Sequence, residues 1–318
     1  MCLWVATKLR IADQLASGPK TVAELAKASG VNEDRLYRTL RAIATVGIFR
    51  EEDGRRFANT PASEFLIEGR PGNVRDLVMW TSDPFHMHVY EEMLHSVKTG
   101  ELAIEKVYGK PAFEVFADPA MKEESEVFNN AMTSISQMVM PAVLEAYDFT
   151  GIGTLVDVAG GHGFVLSSIL QKYSAMRGVL FDMEHVIAGA APLLKRMGVE
   201  SRVQAATGDF FKSVPAGGDA YIMKHIIHDW DDDKAGVILS NIHKQLKSGG
   251  KVILIEAVIA PGNEPHFAKW IDIEMFMMPG GRERTEAEFA ELFRNNGFKL
   301  SKVVPTKSPL SAVEAVKG

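Results

Sequence analysis

The sequence predicts an α/β protein in two parts, a mainly helical part over residues 1–142 followed by a parallel-sheet part over residues 143–318. Three observations carry this. Apolar residues recur at helical spacing through the first part. From residue 151 onward, short β-branched runs alternate with helical stretches, the grammar of a parallel sheet covered on both faces. The chain has 318 residues, which at roughly 100–200 residues per domain is the length of two domains.

In the first part, Thr21 with Glu24 three residues later opens a helix as a capping box. Val22, Leu25, Ala26 and Ala28 form its apolar face, and Gly30 ends it. Asn32 or Glu33 starts a second helix with Leu36, Leu40 and Ile43 on one face, ending at Gly47. IFREEDGRRFANT then reads as a hairpin around a two-residue Asp53-Gly54 turn. Helix, helix, hairpin is the winged-helix pattern. Further helices are expected around Trp80–Val97 and Glu123–Tyr147. In the second part TLVDV, GVLF, RVQAA, DAYIM and KVILIEAVI are the strands. Val165–Lys172, His185–Met197 and Lys234–Leu246 are helices between them, and Lys299–Val304 and Ser311–Val316 form an antiparallel hairpin at the sheet edge.

Composition narrows the function. Hydrophobic residues are 46% and charged residues 24%, ordinary for a globular chain. No apolar run approaches the ~18 residues of a membrane span, and the first residues lack the apolar centre of a signal peptide, so no membrane partner is expected and the cytoplasm is the default. One cysteine, Cys2, excludes an intramolecular disulfide and a cysteine-rich metal site. A net charge of −6 argues against nucleic acid bound over the whole surface. Residues 1–60 carry ten Lys+Arg against seven Asp+Glu, with Arg35, Arg38 and Arg41 near the second helix, so a winged-helix DNA-binding regulator stands as an alternative.

The chemistry concentrates at a few places. Val156-Asp157-Val158-Ala159-Gly160-Gly161-His162-Gly163 follows a strand and opens a helix, where glycines admit a ligand close to the backbone and the helix start favours negative charge. Asp182 ends the next strand, placed to take two ribose hydroxyls. Gly208-Asp209-Phe210-Phe211 pairs an acceptor with rings. Each also has a plain reading: a tight strand-to-helix turn, a cap ahead of Glu184, a surface turn. NAD-binding proteins share the first two features, which keeps NAD as the second cofactor candidate. His228 precedes Asp229, a possible cap for the following helix with Asp232 reciprocal to it. The acidic run Asp231-Asp232-Asp233 reads as a solvated first helical turn. His225 and His228 are three apart on a segment read as extended, so a shared metal is not expected. Thr285 and Glu288 repeat the capping-box pattern.

Taken in order, DVAGGHG, LFDMEHV, GDFF, KHIIHDWDDDKA, GKVILIEAVI and PGGRERTEAEF resemble the plant caffeic acid-type and bacterial antibiotic-type small-molecule O-methyltransferases over nearly the whole chain. The resemblance implies a Rossmann-like class I methyltransferase sheet and a winged-helix-like dimerisation domain, a homodimer, and an active site in a cleft above the carboxyl ends of the strands. It implies S-adenosyl-L-methionine as cofactor, leaving S-adenosyl-L-homocysteine. On matching residues it places Asp157, Gly160, Gly161 and Gly163 in the cofactor loop and Asp182 on the ribose. Met183 lies on the adenine, Asp209 and Phe210 beside it, and Lys224 nearby. His228 becomes the general base, flanked by Glu256 and Glu283. Candidate acceptor contacts are Phe128, Asn129, Met132, Met138, Trp270, Asp272, Phe276 and Met277.

These residue types suit the chemistry. The cofactor's methyl is already activated, so the protein must position the acceptor and remove its proton, and no metal is needed. A phenol, with a pKa of about 10, is protonated at neutral pH, and a neutral histidine oriented by a carboxylate can take that proton. The implied function is methyl transfer to a hydroxyl of a small aromatic molecule. Relatives that bind the same cofactor for hydroxylation or decarboxylation form the second reading. Two departures from the pattern stand out. Ala159 replaces the usual first glycine of the loop and fits if its φ is negative. Relatives also carry further residues ahead of the segment resembling MCLWVATKLRIADQL, residues that often interlock the dimer.

Overall fold

The computed structural model of the chain describes residues 1–70 and 72–318. It contains two compact units, one of Met1–Glu91 with Glu114–Met138, the other of Glu92–Phe113 with Val139–Gly318.

In the first unit a short strand β1 (Lys20–Thr21) leads into the helix Val22–Ser29. The expected capping box is complete: Thr21 Oγ1 accepts the Glu24 amide at 3.2 Å, and Glu24 Oε2 accepts the Thr21 amide at 2.7 Å. Gly30 closes the helix at φ +68°, a left-handed conformation that glycine adopts without penalty. Asn32 caps the helix Glu33–Ala44 through the Arg35 amide. Strands β2 (Phe49–Glu52) and β3 (Arg56–Asn59) follow, ordered β1-β3-β2. The hairpin differs from expectation in one respect. Glu52 pairs with Arg56, so its loop has three residues, and both Gly54 (φ +74°) and Arg55 (φ +54°) are left-handed. Arg55 stays on the surface, its guanidinium over the Tyr37 ring at 4.5 Å. Leu25, Leu36, Leu40, Ile43, Phe49 and Phe57 fill the core beneath.

The helix expected around Trp80–Val97 is three shorter ones, Arg75–Thr81, Pro84–Glu91 and Met93–Thr99. Pro84 disfavours helical backbone just before it, and Asp83 restarts the chain by accepting the His86 amide at 2.8 Å. Likewise the stretch His185–Met197 is two helices, Glu184–Ile187 and Ala191–Arg196, with Pro192 in the first turn of the second.

The second unit holds a seven-stranded sheet of β4 (Thr154–Val158), β5 (Arg177–Asp182), β6 (Val203–Thr207), β7 (Ala220–Lys224), β8 (Lys251–Glu256), β9 (Phe298–Pro305) and β10 (Ser311–Lys317). Its order is β6-β5-β4-β7-β8-β10-β9. The first five strands in that order are parallel, which is the Rossmann-like arrangement, and β10 runs antiparallel to both neighbours. The last hairpin exists as expected, but only β9 is at the edge; β10 is inserted between β8 and β9. Its residues Ala312, Val313 and Ala315 are buried, as a strand with a neighbour on each side requires. β4, β7 and β8 are almost wholly buried runs, and helices such as Asp232–Gln245 supply Ile238, Leu239 and Ile242 to the core they share. This order reverses direction between β4 and β7. The carboxyl ends of strands flanking such a switch point form a crevice suited to ligands.

Candidate active site

Five strand ends converge on that crevice. β4 runs out through buried Asp157 into the glycine loop. A β-carbon on Gly160 would lie 2.5 Å from Leu180 Cδ1 and 2.6 Å from Asp157 Cγ, so any larger residue there would have to displace both side chains. Gly163 starts the helix Phe164–Lys172 at φ +84°. Gly161, at φ +59°, opens onto free space on its β-carbon side, and its amide donates to Asp182 Oδ2 at 2.8 Å. Asp182 Oδ1 accepts the Met183 amide at 2.7 Å. Asp182 therefore braces the loop from the next strand, while Met183, rather than Asp182, is the cap residue of Glu184–Ile187. Met183 exposes 49% of its surface beside it.

Ala159 departs from expectation. Its φ is +55°, in the left-handed region rather than at a negative value. The loop thus keeps a glycine-type backbone with a β-carbon on it, at a cost of roughly 1–2 kcal/mol.

Burial raises the Asp157 carboxyl to about 7; the Leu166 amide opposes this, Asp182 adds to it, and Lys224 opposes it. Asp157 Oδ2 is buried with no hydrogen-bond partner. Burial likewise raises Asp182, against the Gly161 and Met183 amides. Lys224, at the end of β7, is brought down to about 8 by burial despite Glu256, Asp157 and Asp229. After β6, Asp209 Oδ1 accepts the Phe211 amide at 2.9 Å, which turns the chain so that Phe210 and Phe211 pack edge-on against each other.

His228 sits in a 3₁₀ turn, Ile227–Asp229, that follows β7. It is 5% exposed. Its Nδ1 lies 2.7 Å from Glu283 Oε1 and 3.7 Å from Glu256 Oε2. Asp229 Oδ1 is 3.5 Å from Nε2. Glu256, fully buried at the end of β8, accepts the Ile226 and Ile227 amides on Oε1 at 3.1 and 3.0 Å. Its Oε2, like that of Glu283, has no hydrogen-bond partner. Burial alone would lower the imidazole pKa, but the carboxylates of Glu256, Glu283 and Asp229 outweigh it and raise His228 to about 10. Burial raises Glu256, with His228 opposing and Glu283 adding to the shift. Asp229 rises to about 7, again chiefly by burial.

Two expectations about this turn are corrected. The segment is not extended: His225, at φ +55°, stacks its ring on His228 with centroids 4.7 Å apart and planes 15° apart. His225, His228 and Glu256 bring potential metal-ligand atoms within 4.8 Å of one another. The following helix is capped by Asp231, which accepts the Lys234 amide at 2.8 Å, and not by Asp229, which belongs to the turn. The capping box at Thr285 and Glu288 is as expected.

The candidate acceptor contacts are scattered. Phe128 stacks on Phe116 at 4.8 Å and meets Trp80 edge-on at 5.1 Å; Asn129 and Met132 follow it on the helix Lys122–Ala146. On the helix Ala268–Met277, Trp270 is 74% exposed, Phe276 is half-buried and Met277 is buried. Asp272 accepts the Glu283 amide at 2.8 Å, which ties it to the histidine's partner.

Residues 90–299 match the O-methyltransferase domain, and residues 1–69 match the O-methyltransferase dimerisation domain. The chain belongs to the O-methyltransferase family. It is 40% identical to the phenazine O-methyltransferase PhzM of Lysobacter antibioticus over 98% of this chain and 91% of that one. The crystal structure of LaPhzM matches with a TM-score of 0.94 at 40% identity, covering 100% of this chain and 95% of that chain. NcsB1, an O-methyltransferase from neocarzinostatin biosynthesis solved with S-adenosylmethionine and 2-hydroxy-5-methyl naphthoic acid, matches at TM-score 0.84 and 31% identity, covering 100% and 95%. Among the described residues no helix is long and apolar enough to cross a membrane.

As an O-methyltransferase the chain carries residues whose part was not legible beforehand. Arg284 is 1% exposed, and its guanidinium donates to the carbonyls of Ile227 and Trp230 and to the Asp232 carboxylate, all around the histidine turn. Asn241 Nδ2 holds the carbonyls of Phe210 and Phe211 at 2.9 and 3.0 Å. Arg284 stood inside a charged run, and Asn241 within a helix pattern, with nothing to mark either as inward-facing.

Proposed function

We propose that this protein moves the methyl of S-adenosylmethionine to a hydroxyl of a small aromatic acceptor, with His228 as general base. The observation that carries the reading is the 2.7 Å bond between His228 Nδ1 and Glu283, set in the same crevice as the glycine loop. The residues present fit the cofactor. Gly161 faces free space, the unpartnered Asp157 Oδ2 calls for a donor, and each oxygen of Asp182 keeps a lone pair beyond its amide. Met183 offers an exposed apolar side chain next to them. Asp157, Gly160, Gly161, Gly163, Asp182, Met183, Asp209, Phe210 and Lys224 would hold it.

When bound, the cofactor supplies a methyl on a positively charged sulfur, ready for displacement. The chain's own task is the proton. With Nδ1–H donated to Glu283, the neutral ring carries its lone pair on Nε2, which accepts the hydroxyl proton. Glu283 and Glu256 stabilise the imidazolium that results. A pKa of about 10 makes the ring a strong base but leaves roughly one ring in a thousand neutral at pH 7. A positive charge brought into the crevice lowers that value and returns the ring to its neutral form. This chemistry needs no metal. Trp270 and Phe276 are our candidates for holding the aromatic ring on the sheet-bearing unit. The match of residues 1–69 supports a homodimer, which sedimentation will test.

The likeness to a phenazine O-methyltransferase supports a hydroxylated fused-ring acceptor. Calorimetric titration with S-adenosylhomocysteine and with NAD tests the cofactor, and incubation with S-adenosylmethionine and 1-hydroxyphenazine tests transfer. Micromolar binding of the first alone, with a product one methyl heavier, supports the reading; binding of NAD alone would end it.

A further inference from the structure

Glu283 and Arg284 are sequence neighbours that hold one turn from two directions. Glu283 takes the His228 ring at Nδ1. The Arg284 guanidinium reaches the backbone on either side of that ring. Its Nη1 donates to the carbonyl of Ile227 at 3.1 Å and of Arg282 at 3.3 Å, and its Nη2 to the carbonyl of Trp230 at 2.9 Å. Nε and Nη2 both reach Asp232 Oδ1, at 3.0 and 2.7 Å. Five N–H donors thus make five hydrogen bonds, all that a guanidinium can offer. Ile227 and Trp230 bracket His228 in the chain, and Asp232 begins the helix that follows. Arg284 is itself anchored: its carbonyl accepts the Ile259 amide at 2.9 Å, and it bridges to Val258, two residues beyond Glu256. The same short segment therefore connects Glu256, Glu283 and the backbone of His228.

We propose that Arg284 is a positioning residue for His228, its fork of donors setting the turn so that the ring meets Glu283. The proposal rests on the reading of His228 as base. A lysine retains the charge but, as a point donor, cannot span carbonyls on both sides of the turn. Arg284 fixes the orientation of the ring rather than touching acceptor or cofactor.

The test compares wild type, Arg284→Lys and Asp232→Ala. Asp232 has a side chain 60% exposed, so its removal frees the guanidinium from its carboxylate without opening the core. Folding is checked by circular dichroism and S-adenosylhomocysteine affinity by calorimetry. Turnover is measured with 1-hydroxyphenazine across pH, and the low-field proton signal of His228 Nδ1–H is recorded without acceptor. In Arg284→Lys, cofactor affinity stays within about twofold, while kcat falls about 10- to 100-fold with little change in KM, since ~1 Å of misplacement is worth up to that factor. Its pH profile shifts and the low-field signal broadens or moves. Asp232→Ala shows the same changes to a smaller degree. Folded variants with wild-type kcat, pH profile and Nδ1–H signal would overturn the proposal. If Arg284→Lys does not fold, an unchanged Asp232→Ala overturns it. Should the wild type transfer no methyl, the function reading fails, while the Nδ1–H signal still decides the positioning.

Discussion

Gly281 packs so tightly against His228 that a β-carbon at residue 281 would lie 2.0 Å from the His228 carbonyl oxygen. The next residue, Arg282, donates its amide to that same oxygen at 2.8 Å. The loop carrying Glu283 is thus laid directly on the backbone of the histidine it orients. This glycine is required by space, since its φ is not left-handed. Gly281→Ala must push the two segments apart. We expect a stability loss of about 1–3 kcal/mol, typical of overpacking, and a fall in kcat larger than any change in S-adenosylhomocysteine affinity. Denaturant titration and steady-state kinetics check both.

The pH dependence has a definite sign. His228 is raised to about 10 from 6.5, because the carboxylates of Glu256, Glu283 and Asp229 outweigh burial. A base must be neutral, so kcat/KM rises with pH through the neutral and alkaline range. Its midpoint falls below the value of about 10 to the extent that bound cofactor adds positive charge. The stabilisation that the raised His228 pKa represents is fully present below about 6.5 and is lost as pH rises through about 10. A pH–rate profile that falls from pH 6 to 9, with folding intact, would contradict this.

Ala159→Gly removes a β-carbon from a left-handed residue. The relief of roughly 1–2 kcal/mol is offset by about 0.4–1 kcal/mol of extra unfolded-chain entropy. A small rise in Tm is expected, with cofactor affinity equal to or tighter than wild type. A clear drop in Tm would show that the β-carbon packs favourably.

Asp182→Ala removes the carboxylate that accepts the Gly161 amide. Leaving that donor unpaired costs about 1–3 kcal/mol, and the proposed partner of the cofactor's hydroxyls is removed with it. S-adenosylhomocysteine affinity should weaken tenfold or more by calorimetry; unchanged affinity would remove Asp182 from the cofactor site.

Local chemistry was the legible part of this molecule. Capping boxes at Thr21–Glu24 and Thr285–Glu288, the glycine at Gly30, and the buried strands all follow from contacts within a few residues. What escaped depends on distant chain. The insertion of β10 between β8 and β9 is decided by sheet assembly, and the left-handed φ of Ala159 belongs to a loop whose next residue, Gly160, is packed against Leu180 and Asp157 from β5 and β4. Asp231 caps its helix because Asp229 is drawn into the histidine turn, a competition between two aspartates that spacing alone does not resolve. His228, Glu256 and Glu283 are singled out only by the resemblance to a family, and the fold brings them within hydrogen-bonding and ion-pair range. Arg284 was invisible because a charged residue in a charged run reads as solvated, and only the folded chain turns it inward.

The most direct test of the account is His228→Ala, assayed with S-adenosylmethionine and 1-hydroxyphenazine alongside calorimetric binding of S-adenosylhomocysteine. If His228 is the general base, cofactor affinity stays within a few-fold of wild type while turnover falls about 10²–10⁴-fold, the range general-base catalysis supplies. Wild-type turnover in this variant, with the cofactor bound as before, would contradict it.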